Sequence, residues 1–346
     1  MTTIAIDAMG GDIGLDTTIA AVSIAQKKLP EVKFILCGNE EKIRSHQYFS
    51  ELKSENIEIV QCSQVVEMDE SPSQVLRKKQ DSSLWRAIEL VRDKKADVCV
   101  SAGNTGALMA SAYFLLKTLP DVSRPALCTA MPTRTGRVYC LDLGATVDSK
   151  PQQLEQFALM GTELVRAVVG KENPTVGLLN IGGEAIKGNE VVKEASKLLA
   201  EAPINYIGNV EGDDILMKEN LDIVVCDGFV GNVALKSIEG TAKFIALSLK
   251  QAFHQNLLSK ICGLFALPAM KTMKKKIDPR LYNGAVMLGL NGLVVKSHGS
   301  ADAFSYSNAI FFAVRAAEKS LIEKITAQIR SRNNAENSQD VAKVAE

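Results

Sequence analysis

Residues 3–38 of the chain read TIAIDAMGGDIGLDTTIAAVSIAQKKLPEVKFILCG, and this stretch indicates the fold. Its two ends, TIAID (3–7) and VKFILCG (32–38), are short apolar runs of the kind that form strands buried on both faces of a sheet. The segment from Leu15 to Lys28 between them predicts a helix. A strand, a helix and a second strand in this order predict two parallel strands joined by a crossover.

Apolar runs and helical segments continue to alternate along the chain. The further runs lie at 57–61, 97–102, 125–131, 138–144, 175–182, 204–210 and 222–228. The further predicted helices lie at 83–94, 151–169 and 191–201. We therefore expect a three-layer α/β/α sandwich with a mostly parallel sheet. Because no linker or repeat divides residues 1–330, we expect one domain there, followed by a polar, disordered tail at 331–346.

The composition excludes several classes of protein. The 346 residues include 40 Lys and Arg and 40 Asp and Glu, and this zero net charge argues against nucleic-acid binding through bulk basicity. With 46% hydrophobic and 23% charged residues, the chain is not of the disordered type. No run approaches the ~20 apolar residues that span a bilayer.

The cysteines and the first residues indicate a reducing compartment. The seven cysteines include no CxxC pair, so we expect neither a disulfide framework nor a metal site, but buried thiols. The N-terminal residues contain no basic region followed by a long apolar run, so no secretory signal is visible. We expect a cytoplasmic protein.

One segment departs from the alternating pattern. Residues 257–278 read LLSKICGLFALPAMKTMKKKID, in which apolar residues interrupted by Gly263 and Pro268 precede a lysine cluster. An apolar face flanked by lysines suits the surface of an anionic membrane, so we expect a protruding helical segment at about 254–278. A hairpin packed on the core and a dimer contact are the alternatives. The expected membrane residues are Leu257, Leu258, Leu264, Phe265, Leu267, Lys271, Lys274, Lys275 and Lys276.

Small and polar residues follow many of the predicted strands. Ligands of open α/β sheets bind outside the carboxyl ends of the strands, so we expect these loops to meet at one edge and to bind a phosphate-bearing substrate. Each loop alone also reads as a capped turn, and neither a dinucleotide fingerprint nor a P-loop is present. The candidate residues are Asp7, Gly10, Gly11, Asn104, Thr105, Gly106, Arg134, Asn180, Lys187, Asn189, Asp227, Gly231, Asn232 and His298.

Seven motifs carry a resemblance to a known family. In order, between residues 4 and 302, they are IAIDAMGGD, SAGNTGALMA, RPALCTAMPT, LDLGATVD, VGLLNIGGEAIKGNE, VVCDGFVGNVALKSIEG and LGLNGLVVKSHGSAD. With them the chain closely resembles the bacterial phosphate acyltransferase (PlsX) family. It departs from the family at Leu15, Gly183 and Asp213, where members often have proline, glutamate and a basic residue. Gly183 puts any role for a carboxylate at that position in doubt.

The resemblance implies a fold similar to the phosphate acetyltransferase and isocitrate dehydrogenase-like group, and a homodimer. It implies a reaction of phospholipid synthesis without a cofactor, in which inorganic phosphate attacks a fatty acyl thioester on acyl carrier protein. The products are acyl phosphate and free carrier protein, and a membrane glycerol-3-phosphate acyltransferase next uses the acyl phosphate. It also implies peripheral membrane association, which favours the membrane interpretation of residues 257–276.

The candidate residues can be given roles in this reaction. Phosphate is already an anionic nucleophile, so the protein must position the reactants and stabilise the thioester oxyanion. We assign phosphate to the turn 104–106 and Lys187, and the oxyanion to Asn232 and the Gly231 backbone. His298 is expected to protonate the leaving thiolate, and Asp227 and Asp7 to orient these groups. The alternatives are a phosphotransacetylase acting on acyl-CoA, a nicotinamide-dependent dehydrogenase and a non-catalytic membrane scaffold.

Overall fold

The computed structural model describes the backbone of residues 1–344 and the side chains of residues 1–273 and 275–334. This part of the chain forms eleven strands: β1 (Thr3–Asp7), β2 (Lys33–Gly38), β3 (Ile57–Gln61), β4 (Val98–Ser101), β5 (Ala126–Pro132), β6 (Arg137–Leu141), β7 (Thr175–Leu179), β8 (Asn205–Val210), β9 (Ile223–Val225), β10 (Ala285–Leu288) and β11 (Leu293–Lys296). It also forms twelve α-helices: α1 (Leu15–Lys28), α2 (Glu40–Ser45), α3 (Pro72–Lys78), α4 (Ser83–Arg92), α5 (Thr105–Leu116), α6 (Pro151–Val169), α7 (Glu190–Glu201), α8 (Asp214–Met217), α9 (Gly228–His254), α10 (Leu257–Ile277), α11 (Ala303–Glu318) and α12 (Leu321–Val344).

The strands form one sheet in the order β3-β2-β1-β4-β11-β10-β5-β6-β9-β7-β8. The first five strands are mutually parallel, and we call them the first block. The strands β6, β9, β7 and β8 are also mutually parallel, and we call them the second block. The prediction of a mostly parallel sheet between helices is therefore confirmed.

The two blocks run in opposite directions, because the pairings β11–β10, β10–β5 and β5–β6 are all antiparallel. Strand β5 belongs to both halves of the sheet: Cys128 pairs with β10, and the next residue, Thr129, pairs with β6. The carboxyl ends of the two blocks therefore lie at opposite edges. The prediction that all strand-end loops share one edge is wrong, because an apolar run does not encode the direction of its strand.

Alternate residues of the strands enter cores on the two faces of the sheet. In β1, Ile4 and Ile6 pack into one hydrophobic cluster, with Phe157 and Tyr306 from the helices. Ala5 packs into the other cluster, with residues of α4 and α5. Both faces are dry, which explains why the strand sequences are apolar throughout. Six of the seven cysteines are buried and Cys262 is exposed, and all are free thiols.

Helices α9 and α10 form an antiparallel hairpin whose outer part stands away from the sheet. Apolar side chains on it are exposed, with Phe265 83% and Leu258 71% accessible. Gly263 allows close packing, since a Cβ there would lie 3.1 Å from the Phe253 ring. Compared with the predicted segment of about 254–278, the protrusion also includes the second half of α9. Within the described residues, no helix is both long and apolar enough to traverse a bilayer.

The C-terminal helix α12 packs on α6, where buried Arg332 and Glu155 form an ion pair of 2.8 Å. The backbone of α12 stays helical to Val344, where the sequence predicts a polar tail from residue 331. Residues 345–346 of that predicted tail lie outside the described part of the chain.

Candidate active site

A buried polar cluster lies at the carboxyl edge of the first block. Asp7 ends β1, Ser101 ends β4, and the Ser101 hydroxyl donates a hydrogen bond of 2.6 Å to Asp7 Oδ2. The Gly103 N–H donates in turn to Ser101 Oγ over 3.0 Å. Burial raises the pKa of the Asp7 carboxyl. A Cβ at Gly10 would lie 2.3 Å from Asp7 Oδ2, so the space around this carboxyl requires glycine.

Helix α5 begins at Thr105, so its N-terminus follows this cluster directly in the sequence. The Asn104 side chain is fully used: its Oδ1 accepts from Ala107 N, and its Nδ2 donates to the carbonyl oxygens of Met68 and Glu70. The Asn104 side chain is therefore not available to phosphate, and the predicted phosphate turn offers its backbone N–H groups instead. No described residue accepts a hydrogen bond from the N–H groups of Thr105 and Gly106, which point out of a helix N-terminus and favour an anion.

Lys296 was not among the predicted site residues, although it ends the apolar strand β11. Its side chain is buried, and Nζ donates to the Ala102 carbonyl over 3.2 Å and to the Ser297 carbonyl. Burial lowers its pKa to about 8, against the opposing charges of Asp7 and Asp12. In the sequence, Lys296 could be recognised only as a lysine that directly follows the apolar residues LVV. A charged residue is unusual in a buried strand.

His298 follows Lys296 on the same loop. Its backbone N–H donates to Asn283 Oδ1 over 3.1 Å, and its Nδ1 accepts from the Ser300 N–H. A ring nitrogen that accepts from a backbone N–H carries no proton, so the neutral ring has its N–H at Nε2. Burial, together with the charges of Lys296, Lys236 and Lys243, lowers the His298 pKa despite Glu239.

Gly11 belongs to the same edge. Its φ is +99°, and a Cβ there would lie 3.0 Å from Ala102 Cβ and 3.1 Å from the Gly299 carbonyl oxygen. The Asp12 N–H donates to that same Gly299 carbonyl over 2.9 Å. The loops after β1, β4 and β11 are therefore packed backbone against backbone.

Asp142, a second buried carboxylate, organises the edge of the second block. It follows β6, is fully buried, and accepts hydrogen bonds from the N–H groups of Leu127, Ala145 and Thr146 at 2.5–3.0 Å. Burial raises its pKa, and these backbone donors oppose the rise. Its main-chain carbonyl would lie 1.9 Å from a Cβ on Gly231.

Two predicted roles on α9 do not fit these contacts. The Gly231 N–H donates to the Asp227 carbonyl over 2.9 Å, so it is not free to hold an oxyanion. The Asp227 side chain accepts from Val230 N over 2.8 Å and caps the helix. Both residues therefore fix the start of α9 against Asp142, which is a structural role.

The loop after β7 carries Lys187 to the same edge of the sheet. The Asn180 amide holds the loop closed by donating to the Lys187 carbonyl over 3.1 Å, and Asn189 caps α7. The Lys187 side chain is exposed, and no described carboxylate pairs with it. Arg134 is not brought to this site, because its guanidinium pairs with Glu219 on the surface.

Helix α9 connects the two edges. At its start, Asn232 is exposed beside the loop after β6, with its Cβ 3.8 Å from the position of a Cβ on Gly144. Lys236, Glu239 and Lys243 follow at spacings of four and three, so they share the face of Asn232. Since Lys236 and Lys243 act on the pKa of His298, this face passes the edge of the first block. We take the region along this face, between the two edges, as the candidate active site and call it the cleft.

The described residues form no metal cluster in this region, and the described cavity lies elsewhere. Among the described residues, no group of three His, Cys, Asp or Glu side chains is placed to hold a metal ion. A cavity of about 480 Å³ lies on the other face of the sheet, between β5, β6 and α11. Its wall includes Asn283, which connects it to the backbone of His298.

Comparison with known proteins identifies the family. The profile of a family described as "Fatty acid synthesis protein" matches residues 2–324. The phosphate acyltransferase of Dichelobacter nodosus is 56% identical over 327 residues, 94% of each chain. That of Methylococcus capsulatus is 52% identical over 328 residues, 94% of this chain and 96% of the relative.

Solved structures agree on the fold alone. The EutD phosphotransacetylase from Staphylococcus aureus superimposes with a TM-score of 0.60 at 19% identity, over 91% of this chain and 94% of its own. A phosphotransacetylase from Streptococcus pyogenes gives a TM-score of 0.60 at 16% identity, over 92% and 94%. By the extent and identity of the sequence matches, the chain belongs to the fatty acid synthesis protein family, in which its relatives are phosphate acyltransferases.

Proposed function

We propose that this acyltransferase moves a fatty acyl group from the thioester of an acyl carrier protein to inorganic phosphate. A phosphate oxygen bonds to the acyl carbon, the carbon–sulfur bond breaks, and the carrier thiolate takes up a proton. Family membership supports acyl transfer to phosphate in phospholipid synthesis. The observation that carries the proposal is that the N–H groups of Thr105 and Gly106 donate to no described residue, at the edge that also holds Lys296 and His298.

Direct attack by phosphate is favoured over a covalent enzyme intermediate. The buried cysteines are poor nucleophiles, since burial raises the pKa of Cys226 and Cys128 well above the ordinary value. Phosphate needs no such activation. The N-terminal dipole of α5 binds and orients it. Exposed Lys187, on the loop after β7 at the other edge, adds positive charge to the field of the site.

His298 and Asn232 serve the thioester. A lowered pKa keeps His298 neutral at pH 7, so its Nε2–H donates a hydrogen bond to the developing oxyanion or the leaving sulfur. This role differs from the predicted general acid, and a thiolate leaves readily without protonation. The exposed Asn232 amide is the second donor, from the opposite side of the cleft.

The hairpin accounts for the proposed localisation of the enzyme at the membrane. We infer that its apolar tip, which we define as residues 253–265, rests in the surface of an anionic membrane. The protein is then cytoplasmic and peripheral, and the apolar acyl phosphate passes to the membrane glycerol-3-phosphate acyltransferase. A second copy of the chain covers the exposed Phe244 and Leu247 of α9, which lie below the tip, and makes a homodimer.

Acyl-phosphate formation from acyl carrier protein and from acyl-CoA, measured against phosphate concentration, tests the reaction. We expect the carrier protein to be the better donor. Lys187→Ala is expected to raise the phosphate KM about tenfold or more, whereas Lys193→Ala, on α7, changes nothing. Equal use of acyl-CoA would favour the phosphotransacetylase alternative, and an unchanged phosphate KM would remove Lys187 from the site.

Vesicle co-sedimentation tests the membrane role. The substitutions Leu264→Asp and Phe265→Asp are expected to abolish binding to anionic vesicles and to leave turnover in solution unchanged. If the variants still bind vesicles, the tip is a dimer contact and not a membrane contact. The mass of the parent protein in solution tests dimer formation separately.

A further inference from the structure

The neutral chain has a strongly basic part. Residues 228–277, which form α9 and α10, contain eight lysines and one acidic residue, Glu239. The rest of the chain must therefore be acidic by seven charges, since the total is zero. A local excess of this size selects for an acidic or anionic partner.

Except for Lys260, the lysines of α10 follow the membrane-facing tip in the sequence. Lys271 lies six residues after Phe265, the last residue of the tip, which corresponds to about 9 Å along the helix. Lys275 and Lys276 follow on its last turn, so these three lysines lie at the base of the hairpin. At physiological salt the Debye length is about 8 Å, so Lys275 and Lys276, about 15 Å or more beyond the tip along the helix, are largely screened from the bilayer, and Lys271 is partly screened.

The base of the hairpin is fixed beside the candidate active site. Directly after α10, Arg280 pairs with Asp278 at 2.7 Å and with Asp302 at 2.9 Å. Asp302 is on the loop of His298, and Asn283 accepts a hydrogen bond from the His298 N–H. The final turns of α10 therefore lead into the same loop that carries His298.

Helix α9 contributes a further lysine to this region. Lys243 is exposed and close enough to His298 to lower its pKa. No described carboxylate lies within ion-pair distance of Lys243, Lys271, Lys275 or Lys276, in contrast to Lys236, which pairs with Glu239 at 2.9 Å. We call these four residues the basal lysine cluster. The side chain of Lys274 lies outside the described residues.

We propose that the basal lysine cluster is the docking surface for the acidic acyl carrier protein, and that the membrane is contacted by the tip alone. The proposal rests on the proposed function. A carrier protein must place its thioester in the cleft, so its docking surface has to border the cleft. The basal lysine cluster meets that requirement, and its unpaired positive charge is complementary to an acidic protein.

Kinetics with two donors test the proposal. The triple variant Lys271→Glu, Lys275→Glu, Lys276→Glu is compared with the parent, using acyl carrier protein and acyl-pantetheine, the same thioester without the protein. We expect kcat/KM for the carrier-bound donor to fall about tenfold or more, and that for acyl-pantetheine to be unchanged. The parent's advantage for the carrier-bound donor should also decline with added salt. Binding to vesicles of phosphatidylglycerol and phosphatidylcholine should not change.

The matched control is Lys33→Glu, Lys95→Glu, Lys197→Glu, which makes the same change in net charge at exposed positions outside the hairpin. It should leave both donors unaffected. An unchanged ratio between the two donors in the hairpin variant would overturn the proposal. Loss of vesicle binding with unchanged carrier kinetics would assign the lysines to lipid and also overturn it. Failure of the proposed function would look different, because the parent would then form no acyl phosphate from either donor.

Discussion

The buried ammonium of Lys296 donates a hydrogen bond to the carbonyl oxygen of Ala102 over 3.2 Å. It also donates to the carbonyl of Ser297, the residue before His298. One cation therefore joins the end of β11 to the turn that opens α5, and it holds the predicted phosphate turn and the histidine in fixed relation. The energy of this arrangement depends on charge, since hydrogen bonds from charged donors are stronger than neutral ones.

Activity should depend on the charge of Lys296. Because burial lowers its pKa to about 8, we expect kcat/KM to fall as pH rises through 8. Lys296→Met should lose at least about tenfold in kcat/KM, and Lys296→Arg should keep part of the activity and move the decline to higher pH. A pH–rate profile of all three proteins measures this. The same alkaline decline in the arginine variant would assign it to a group other than Lys296.

Stability should change in the opposite direction over the same range. The unfolded lysine binds its proton up to a pKa of about 10.4, whereas the folded one releases it near 8. Between these values the unfolded state binds more protons, so this group makes folding more favourable as pH rises. Thermal unfolding of the parent relative to Lys296→Met, from pH 8 to 10, checks the sign. An activity loss accompanied by unfolding would contradict the assignment.

We expect Asp7→Asn to raise the stability of the protein and to lower its activity. The folded pKa of Asp7 is raised by burial, so its contribution to stability is present at low pH and is lost as pH rises through that pKa. At pH 7 the asparagine variant should therefore unfold at a higher temperature than the parent, and the difference should shrink in acid. We expect the same variant to lose most of its turnover. If the asparagine variant is equally or less stable than the parent at pH 7, the folded protein compensates the buried charge of the Asp7 carboxylate.

Two glycines of α9 provide a matched pair. A Cβ at Gly231 would lie 1.9 Å from the Asp142 carbonyl oxygen, whereas at Gly240 it would meet nothing within 4 Å. Gly231→Ala should destabilise the protein by about 2 kcal/mol or more, because a backbone atom must move. Gly240→Ala should stabilise it by up to about 1 kcal/mol through helix propensity. Denaturant unfolding of both variants measures the difference in the free energy of unfolding. Similar free energies for the two variants would mean that α9 does not pack against Asp142.

His298 should act as a neutral donor. Its lowered pKa predicts that kcat stays flat as pH falls from 7.5 to about 6.5, the ordinary histidine pKa. His298→Gln, which keeps an N–H donor, should retain more activity than His298→Ala. A rate that rises as the ring is protonated would restore the general-acid role predicted from the sequence.

Much of this site was visible in the sequence as residue types. Small and polar residues after apolar strands mark strand-end loops, and this pattern indicates Asp7, the α5 turn, Lys187, Asn232 and His298. Their roles were harder to assign. Asn104, Asn189 and Asp227 use their side chains to cap helices, a function that the same residue types serve in the sequence pattern.

Lys296 and Asp142 show where pattern reasoning fails. A charged residue at a strand end is usually solvated, and only the fold shows that both of these are enclosed by backbone donors or acceptors. The apolar character of α10 could be read locally, whereas the contribution of α9 to the hairpin and the position of the lysines at its base depend on how the two helices pack and how α10 returns to Arg280.

The sequence by itself determined the layers, most of the parallel strands and the polar loops, because strand and helix periodicity and glycine placement are local properties of the chain. Only the tertiary structure decided that the two blocks oppose one another at β5, and that α9 crosses between their edges. Strand direction and long-range packing follow from how distant apolar faces are buried together, and no local pattern specifies that choice.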